Sequence, residues 1–342
     1  MHRPLRLNID KVSLAHNWRT LAEHAGVPAG AAIKANAYGL GAREALNVLA
    51  EAGCRDFFVS IWAEADELGP VPQDASVAVL HGVGPEDAEA ALGARARPVL
   101  NSVEQVARWR EIAPDRACDV MIDTGMNRLG LRPDEIAVAD GLAIETLHSH
   151  LACADEENEL NAKQLQRFRE VAAAVPAKRY SLANSAGIYL GRDYCFDLVR
   201  PGLALYGGIP RHEAKGEIRQ VVHVEAQVVQ RRTIRAGESC GYGATFIADV
   251  DVEAAILNVG YADGYLRGFS SKGTAFAGEF ALPVLGRVSM DLIAVRCDAA
   301  PGLGEGEWIE IDYDLRTAAE ASGLSQYELL TTLGSRFERR WA

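Results

Sequence analysis

Short apolar segments alternate with helical patterns over the first 210 residues of the chain, and this alternation constrains the fold more than any other feature. The predicted strands are AAIKA (31–35), DFFVS (56–60), SVAVLHG (76–82), RPVLN (97–101), CDVMID (118–123), AIETLHSH (143–150), RYSLANS (179–185) and DLVRPGLALYG (197–207). The predicted helices between them include AREALNVLAEAG, PEDAEAALG, SVEQVARWREI and ENELNAKQLQRFREVAAAV, with Ser102 as the N-cap of the third. This order of elements indicates an α/β fold with a parallel sheet.

Eight strands separated by helices fit a (β/α)8 barrel, and a doubly wound open sheet is the alternative. Eight strands are many for a single open sheet, and the chain has no GxGxxG fingerprint of a dinucleotide site. We therefore predict a TIM-like barrel over residues 10–215. Such a barrel carries its active site where the strands end and the following loops begin.

The sequence changes character after about residue 215. The segment EIRQVVHVEAQVVQRRTI (217–234) is long and β-rich, and shorter strands are predicted at EAAILNVG, ALPVLG, DLIAVRC and EWIEID. These segments predict a separate, mostly β C-terminal domain over residues 216–342, linked to the barrel by GIPRHEAKGE (208–217). The first strand-like segment, PLRLNID (4–10), either pairs into the barrel or joins the C-terminal domain as part of residues 1–9.

Charge and composition exclude several classes of function. The formal net charge is -12 and no basic stripe is present, so we expect no nucleic-acid partner. No stretch reaches about 18 apolar residues and the N-terminus has no apolar leader, so we expect no membrane partner. The six cysteines are scattered without metal-ligand spacing, which predicts reduced thiols, no metal and a cytoplasmic protein.

Polar side chains stand at the ends of the predicted barrel strands. They are Lys34, Arg128, His148, His150, Asn184, Ser185 and Arg200. Each of them taken alone has an ordinary explanation, such as a solvated lysine, a hydrogen-bonded histidine or the start of a helix. Because a barrel would bring all of them to one face, we predict that together they form a site.

A lysine at a strand end suits a particular chemistry, since its amine can condense with a carbonyl compound to form a Schiff base. Pyridoxal phosphate is the common cofactor that uses such a lysine. Its phosphate needs backbone N–H groups at a helix N-terminus and a few hydroxyl groups. The segments NSAG (184–187) and PGL (201–203) open turns with small residues after the last two predicted strands, which suits that role.

Nine segments, in order along the chain, carry a recognisable pattern. They are IKANAYGLG, MIDTGMNRLG, LHSHLACAD, ANSAG, VRPGLALYG, GYGATF, NVGYADGY, GRVSMDL and QYELLTTLGSRFERRW. Together they resemble the alanine racemase family, a group of fold-type III pyridoxal-phosphate enzymes, over nearly the whole chain. The resemblance implies a homodimeric isomerase with active sites at the interface, which interconverts L- and D-alanine.

The resemblance also implies two bases on opposite faces of the substrate. Lys34 would hold pyridoxal phosphate and act as the base on one face, and Tyr242 would be the base on the other. In such enzymes this tyrosine comes from the β domain of the partner subunit. Taken alone, Tyr242 reads as a strand aromatic in the β domain, but its neighbours Gly241 and Gly243 would leave it little cover.

Further residues are implied to bind the cofactor or the substrate. The cofactor set is Lys34, Tyr38, His150, Asn184, Ser185, Arg200, Gly202, Leu203 and Tyr327. The phosphate would be bound by Tyr38, Ser185, Gly202, Leu203 and Tyr327. His150 would pack against the pyridine ring, and Arg200 would hydrogen-bond the pyridine nitrogen. The substrate set is Arg128, Tyr261 and Met290, of which Arg128 would also touch the phenolic oxygen of the cofactor.

One position departs from the family pattern. Many relatives carry a carbamylated lysine seven residues before the arginine of the DTGMNRLG motif, and this chain has Met121 there. Methionine cannot supply the carbamate's negative charge, so Arg128 must be positioned by a bound anion or another side chain. Alanine is the first expected substrate, while serine and basic amino acids stay open.

Two other functions stay open at this point. A fold-type III decarboxylase of diamino acids would use a glycine-rich phosphate motif and a cysteine opposite the lysine. The chain has no GGG run, and the sequence around Cys240 matches the racemase pattern better. A non-catalytic pyridoxal-phosphate carrier would resemble the barrel alone, and the β domain argues against it. Both D-alanine biosynthesis and amino-acid catabolism fit the sequence.

Overall fold

The computed structural model describes residues 2–342, which divide into two compact units. One unit comprises Leu14–Arg219, and the other combines the described residues up to Ser13 with Gln220–Ala342. None of the helices within residues 2–342 is both long enough and apolar enough to cross a membrane.

Strands and helices alternate along the first unit, and strands predominate in the second. The strands are β1 (Leu5–Ile9), β2 (Ala31–Ala32), β3 (Asp56–Val59), β4 (Ser76–Val79), β5 (Arg97–Leu100), β6 (Cys118–Met121), β7 (Ile144–His148), β8 (Arg179–Ser181), β9 (Val222–Ile234), β10 (Ser239–Cys240), β11 (Phe246–Ile247), β12 (Val252–Leu257), β13 (Thr274–Ala277), β14 (Phe280–Leu285), β15 (Ile293–Arg296), β16 (Trp308–Ile311) and β17 (Glu338–Trp341). The helices are α1 (Lys11–Ala25), α2 (Lys34–Tyr38), α3 (Ala42–Ala52), α4 (Trp62–Glu67), α5 (Ala88–Gly93), α6 (Val103–Ile112), α7 (Glu159–Ala174), α8 (Ser185–Ile188), α9 (Leu315–Ser322) and α10 (Gln326–Thr331). Short 3-10 helices lie at Pro133–Ala139, Arg192–Tyr194, Leu203–Tyr206, His212–Ala214, Tyr242–Ala244, Tyr261–Asp263 and Arg267–Phe269.

Seven parallel strands form the sheet of the first unit, in the order β2-β3-β4-β5-β6-β7-β8. The segment 197–201 closes it, because this segment is hydrogen-bonded on both sides. Arg200 N donates to Ala183 O beyond β8 at 2.9 Å, and Gly30 N next to β2 donates to Val199 O at 2.9 Å. The predicted TIM-like barrel is therefore confirmed. The eighth predicted strand, 197–207, is shorter than expected, since Leu203–Tyr206 forms a 3-10 helix.

The helices around the barrel begin and end where their sequences supply caps. The Ser102 side chain accepts a hydrogen bond from Gln105 N at the start of α6, as predicted. The Asn158 side chain accepts one from Leu160 N at the start of α7. Helix α3 ends at Gly53, whose φ of 117° is readily adopted only by glycine. These local signals explain why the helix predictions were close to the observed bounds.

Met121 belongs to the apolar interior of the barrel. It is buried at the end of β6 and packs in one cluster with Phe58, Ala78, Val99 and Leu198. An ionised group at this position would lie in an apolar cluster and would have to be paired. Methionine instead fills the space as part of the core.

An eight-stranded sheet dominates the second unit, in the order β12-β15-β14-β13-β16-β9-β1-β17. The thirteen-residue strand β9 is its longest, and it pairs antiparallel with β1, β12 and β16. Strand β1 also pairs parallel with β17, so the N-terminal strand is part of this sheet. The unit also contains helices α9 and α10, so the predicted mostly β composition is confirmed.

Candidate active site

Lys34 lies at the carboxyl end of the first barrel strand, at the start of a left-handed turn. Strand β2 ends at Ala32, and the four residues Ala35 to Tyr38 have φ values of 51°, 53°, 53° and 55°. For residues other than glycine, this conformation is unfavourable by roughly 1–2 kcal/mol each. The prediction that the strand continues to residue 35 is therefore wrong. Strain of this kind is concentrated at functional sites.

Hydrogen bonds within the turn hold the unusual backbone. Ala37 N donates to Ile33 O at 2.8 Å, and Gly39 N donates to Ala35 O at 2.8 Å. The Asn36 side chain accepts a hydrogen bond of 2.8 Å from Ala42 N, the first residue of α3. The turn is thus joined to the helix that follows it, and Lys34 is held half-buried at the barrel mouth.

The surroundings of Lys34 favour its neutral amine. Burial is the main effect that lowers the pKa of Lys34, and the positive charge of Arg128 lowers it further. Glu64 on α4 acts in the opposite direction and raises the pKa of Lys34. A lysine with a lowered pKa is a better nucleophile and base near neutral pH.

His150, just after β7, is uncharged mainly because it is buried. Burial lowers its pKa to about 3, and the nearby charges of Arg200, Arg128 and Lys34 contribute to the lowering. A neutral imidazole can pack or accept a hydrogen bond without adding a charge. Lys34, Arg128 and His150 follow the carboxyl ends of β2, β6 and β7, which is the end of the barrel where the sequence predicted a site.

Arg200 is buried, and its side chain is hydrogen-bonded to two residues of the barrel. Its guanidinium donates to Ser149 O at 2.5 Å and to the Ser181 hydroxyl. Burial lowers the pKa of Arg200 to about 10, and the carboxylate of Asp119 counteracts this. Arg200 therefore remains protonated at neutral pH, with its position determined by two fixed oxygen atoms.

Ser185, Gly202 and Tyr38 form a compact group of hydrogen-bonding atoms. Ser185 Oγ accepts hydrogen bonds from Gly202 N at 2.9 Å and from Ala204 N at 3.2 Å. A β-carbon on residue 202 would lie 3.0 Å from Tyr38 Cζ and closer still to the Tyr38 hydroxyl, so only glycine fits. The 3-10 helix Leu203–Tyr206 begins here, and its first N–H groups have no acceptor within the helix. The Asn184 side chain caps the adjacent α8.

Arg128 extends from the loop that follows β6. The loop is shaped by Asp123 Oδ1, which accepts hydrogen bonds from Gly125 N, Met126 N and Asn127 N. Arg128 is exposed, and within residues 2–342 its side chain makes no hydrogen bond or ion pair. Of the two expected substitutes for a carbamylated lysine, a second side chain is thus not found among the described residues.

The other predicted site residues lie in the β-rich unit. Tyr242 is 69% exposed, between Gly241 and Gly243 with φ values of 77° and 73°. Tyr261 N donates to Ser289 O at 3.0 Å, which places Tyr261 next to the loop that carries the exposed Met290. Tyr327 lies on α10 and is partly exposed. Their roles in a shared site remain predictions.

Comparisons with known proteins identify the family of the chain. Residues 9–210 match the alanine racemase N-terminal domain family, and residues 221–341 match the alanine racemase C-terminal domain family. The chain belongs to the alanine racemase family. It is therefore assigned to the racemases, a class of isomerases, as the sequence motifs predicted.

Relatives of the family cover the chain from end to end. A catabolic alanine racemase of Agrobacterium fabrum is 41% identical over 98% of this chain and 91% of its own length. An alanine racemase of Dinoroseobacter shibae is 40% identical over 98% of this chain and 97% of its own length. The crystal structure of alanine racemase from Bartonella henselae, with covalently bound pyridoxal phosphate, matches over 100% of both chains with a TM-score of 0.93 and 36% identity.

Several residues that shape the site were missed from the sequence. Ser149 and Ser181 hold Arg200, and the Tyr206 ring packs 4.8 Å from the Tyr38 ring. Glu64 contacts the lysine turn from α4. Serines in strands and an acidic residue in a surface helix carry no distinguishing local signal. Only the position of Ser149 between two candidate histidines could have drawn attention to it.

Proposed function

We propose that the chain is a pyridoxal-phosphate-dependent alanine racemase that interconverts L- and D-alanine by proton transfer between two bases. The observation that carries this proposal is that Lys34, Arg128 and His150 follow the carboxyl ends of β2, β6 and β7, and that Arg200 donates a hydrogen bond to the backbone next to His150. Lys34 is a half-buried amine with a lowered pKa, and it has a buried cation and a neutral imidazole as neighbours. These surroundings suit a lysine that binds a carbonyl cofactor better than they suit a solvated surface lysine.

The residues present fit pyridoxal phosphate. Lys34 would bind its aldehyde. The compact group around Ser185 would bind the phosphate, where Tyr38 occupies the space that a side chain on Gly202 would need. Arg200 would face the pyridine nitrogen, since its guanidinium is buried in the barrel. Asn184, His150, Leu203 and Tyr327 complete the proposed cofactor set.

Two bases are proposed to move the α-proton. When bound, pyridoxal phosphate stabilises the negative charge left on the α-carbon as an electron sink. Lys34 removes or returns the proton on one face, and its lowered pKa allows the neutral amine to act near neutral pH. Tyr242 of a second copy does the same on the opposite face. Arg128 and the backbone N–H of Met290 hold the substrate carboxylate in place.

Arg200 is proposed to keep the reaction a racemisation. A protonated guanidinium beside the pyridine nitrogen disfavours protonation of that nitrogen. Arg200 remains protonated at neutral pH because its pKa is about 10. Arg200 would thereby make the bound cofactor a weaker electron sink, which would favour return of the proton to the α-carbon and limit transamination. Ser149 and Ser181 fix the guanidinium in the orientation that this role requires.

A homodimer is proposed because the second base lies exposed on the β-rich unit. Leu292 lines the same cleft as Tyr242, and Ile247 and Met290 of that unit are also exposed. A cleft of about 550 Å³ next to Tyr242 is lined in part by Cys240, Arg287 and Leu292. Apolar side chains exposed in this way are typical of an interface. We propose the cytoplasm as the location, which suits the six unpaired cysteines.

Alanine is the proposed substrate because Tyr242, Tyr261 and Met290 are bulky and would leave a small pocket; serine is the next candidate. The test is to incubate the purified chain with each L-amino acid and to separate the enantiomers by chiral chromatography. We expect D-alanine to form fastest, with no activity in Lys34→Ala. A chain that binds pyridoxal phosphate but racemises lysine or arginine faster than alanine would refute the substrate assignment. Release of CO₂ instead of D-alanine would refute the racemase assignment.

A further inference from the structure

Glu64 on helix α4 connects two parts of the barrel mouth with a single carboxylate. Its Oε1 accepts a hydrogen bond of 2.8 Å from Ala35 N, and its Oε2 accepts one of 2.6 Å from Ser60 N at the end of β3. Ser60 is four residues away along the chain, so that bond is local. Ala35 is 29 residues away, so that bond depends on the tertiary structure.

The amide that Glu64 binds is the one directly after Lys34. Ala35 is the first of the four residues in the left-handed region, where its φ is 51°. A strained backbone of this kind persists only when surrounding contacts determine it. A hydrogen bond to an ionised carboxylate is stronger than one to a neutral acceptor. Glu64 is thus placed where it can hold the start of the strained turn.

The charge of Glu64 also acts on the lysine. The charged or titratable side chains that interact with Lys34 are Arg128 from the loop after β6, His150 after β7 and Glu64 from α4. His150 is neutral and Arg128 is a cation, so Glu64 supplies the negative charge among these neighbours. When Lys34 takes up a proton, its new positive charge is offset by this carboxylate.

We propose that Glu64 is a positioning residue for Lys34, which anchors the amide that follows the lysine and compensates the charge of the lysine side chain. The inference rests on the proposed function, in which Lys34 is the reacting amine. Glu64 itself touches neither substrate nor cofactor in this proposal. It acts through the backbone of residue 35 and through its charge.

The test uses the full-length chain stripped of pyridoxal phosphate. Lys34 is acetylated with a small amount of acetic anhydride as a function of pH, and mass spectrometry of the Lys34 peptide gives the midpoint of its titration. The variants are Glu64→Gln, which removes the charge, and Glu64→Asp, which keeps it. The matched control is Glu67→Gln on the same helix, where the side chain is exposed and makes no hydrogen bond or ion pair within residues 2–342.

We expect Glu64→Gln to move the midpoint of Lys34 to lower pH, because the remaining neighbour charge is the cation Arg128. The neutral fraction of Lys34 near neutral pH should rise about threefold to tenfold. Glu64→Asp should restore most of the midpoint, and Glu67→Gln should leave it unchanged. A purely structural role would lower the thermal midpoint of unfolding without this shift. If Glu64→Gln titrates like Glu67→Gln, the proposal is wrong.

Failure of this inference is distinguishable from failure of the proposed function. The visible absorbance of the reconstituted wild-type chain and its racemase assay test the function without reference to Glu64. The Lys34 titration is measured without cofactor, so it is informative even if the reaction assigned to the chain is wrong. In the reconstituted variants we also expect Glu64→Gln, but not Glu67→Gln, to release pyridoxal phosphate faster.

Discussion

Tyr38 occupies the space that a side chain on residue 202 would need. The Tyr38 ring is buried and packs 4.8 Å from the Tyr206 ring, and Tyr206 in turn donates a hydrogen bond of 2.9 Å to Ala32 O. The position of the Tyr38 hydroxyl is therefore determined by the interior of the barrel. A phosphate-binding group built in this way depends on the absence of a β-carbon at residue 202.

Gly202→Ala should weaken the binding of pyridoxal phosphate. A β-carbon at this position would collide with the Tyr38 side chain, so the Tyr38 ring would have to move. Overpacking of this kind costs about 1–3 kcal/mol. Spectrophotometric titration with the cofactor measures the change. Tyr38→Phe removes the colliding hydroxyl but also a proposed phosphate ligand, so it serves as the background for the comparison. Gly202→Ala should weaken binding less in the Tyr38→Phe chain than in the wild type, and equal losses in the two backgrounds would contradict the steric explanation.

Mixing two inactive variants tests whether the second base comes from another copy. Lys34→Ala and Tyr242→Phe should each be nearly inactive as homodimers. After co-refolding in equal amounts, half of the dimers would be mixed, and each would contain one intact site. About a quarter of the wild-type activity should therefore return. If Tyr242 acted on Lys34 of its own chain, the mixture would stay inactive.

Arg200→Glu should increase the transamination side reaction. The variant removes the cation proposed to keep the pyridine nitrogen unprotonated, so pyridoxamine phosphate should accumulate faster per turnover in a chromatographic assay. The glutamate would also face the carbonyl oxygen of Ser149, so stability should fall by about 3 kcal/mol or more. Arg200→Lys keeps the positive charge and serves as the control. An equal side reaction in both variants would contradict the role assigned to Arg200.

Arg336→Met should raise KM and lower stability. Arg336 donates to both carboxylate oxygens of the fully buried Asp263, at 2.6 and 2.7 Å, and to Asp291 at 2.6 Å. These bonds join the segments next to Tyr261 and Met290. Loss of the donor leaves a buried carboxylate short of partners, which costs about 1–3 kcal/mol.

Arg340→Met is the matched control for that experiment. Arg340 forms an ion pair of 2.8 Å with Glu338, and both side chains are more than two-fifths exposed. Such a pair contributes roughly 0–1 kcal/mol. Urea unfolding and a KM measurement on both variants check the prediction, and equal losses in the two would contradict it.

Acidification should destabilise the chain partly through His148. Burial lowers its folded-state pKa to about 4, although its hydrogen bond to Asp119 counteracts this. The unfolded state therefore binds the proton first, near its ordinary pKa of about 6.5. The contribution of a neutral His148 to stability is fully present above that value and is lost as the pH falls from about 6.5 to about 4.

Urea unfolding at two pH values checks this contribution. Between about pH 7.5 and 5.5, His148 alone should account for a loss of about 1 kcal/mol in the free energy of unfolding. His148→Gln should show a smaller loss over that interval. His81→Gln, at an exposed position, should behave like the wild type. Equal pH dependence in all three chains would show that His148 does not titrate on unfolding.

The family and the barrel were both predictable from the sequence. Strand segments such as DFFVS and RPVLN lie within one or two residues of β3 and β5, because continuous apolar runs mark strands that are buried on both faces. The Ser102 cap was also recognised, since a helix start is determined by a few consecutive residues. The motifs alone indicate Lys34, Arg200 and their neighbours as a set, because each motif is a short run of consecutive residues.

The tertiary structure decided what the sequence by itself did not determine about the site. The amino-acid sequence by itself determines which helices and strands form and which chemical groups are present, because these depend on side-chain type and on spacing over a few residues. The left-handed turn after Lys34 contradicts local preference and is stabilised in part by Glu64 from another helix. The orientation of Arg200 depends on oxygen atoms 19 and 51 residues away. Contacts of such separation exist only when the barrel closes, so they leave no pattern in the local sequence.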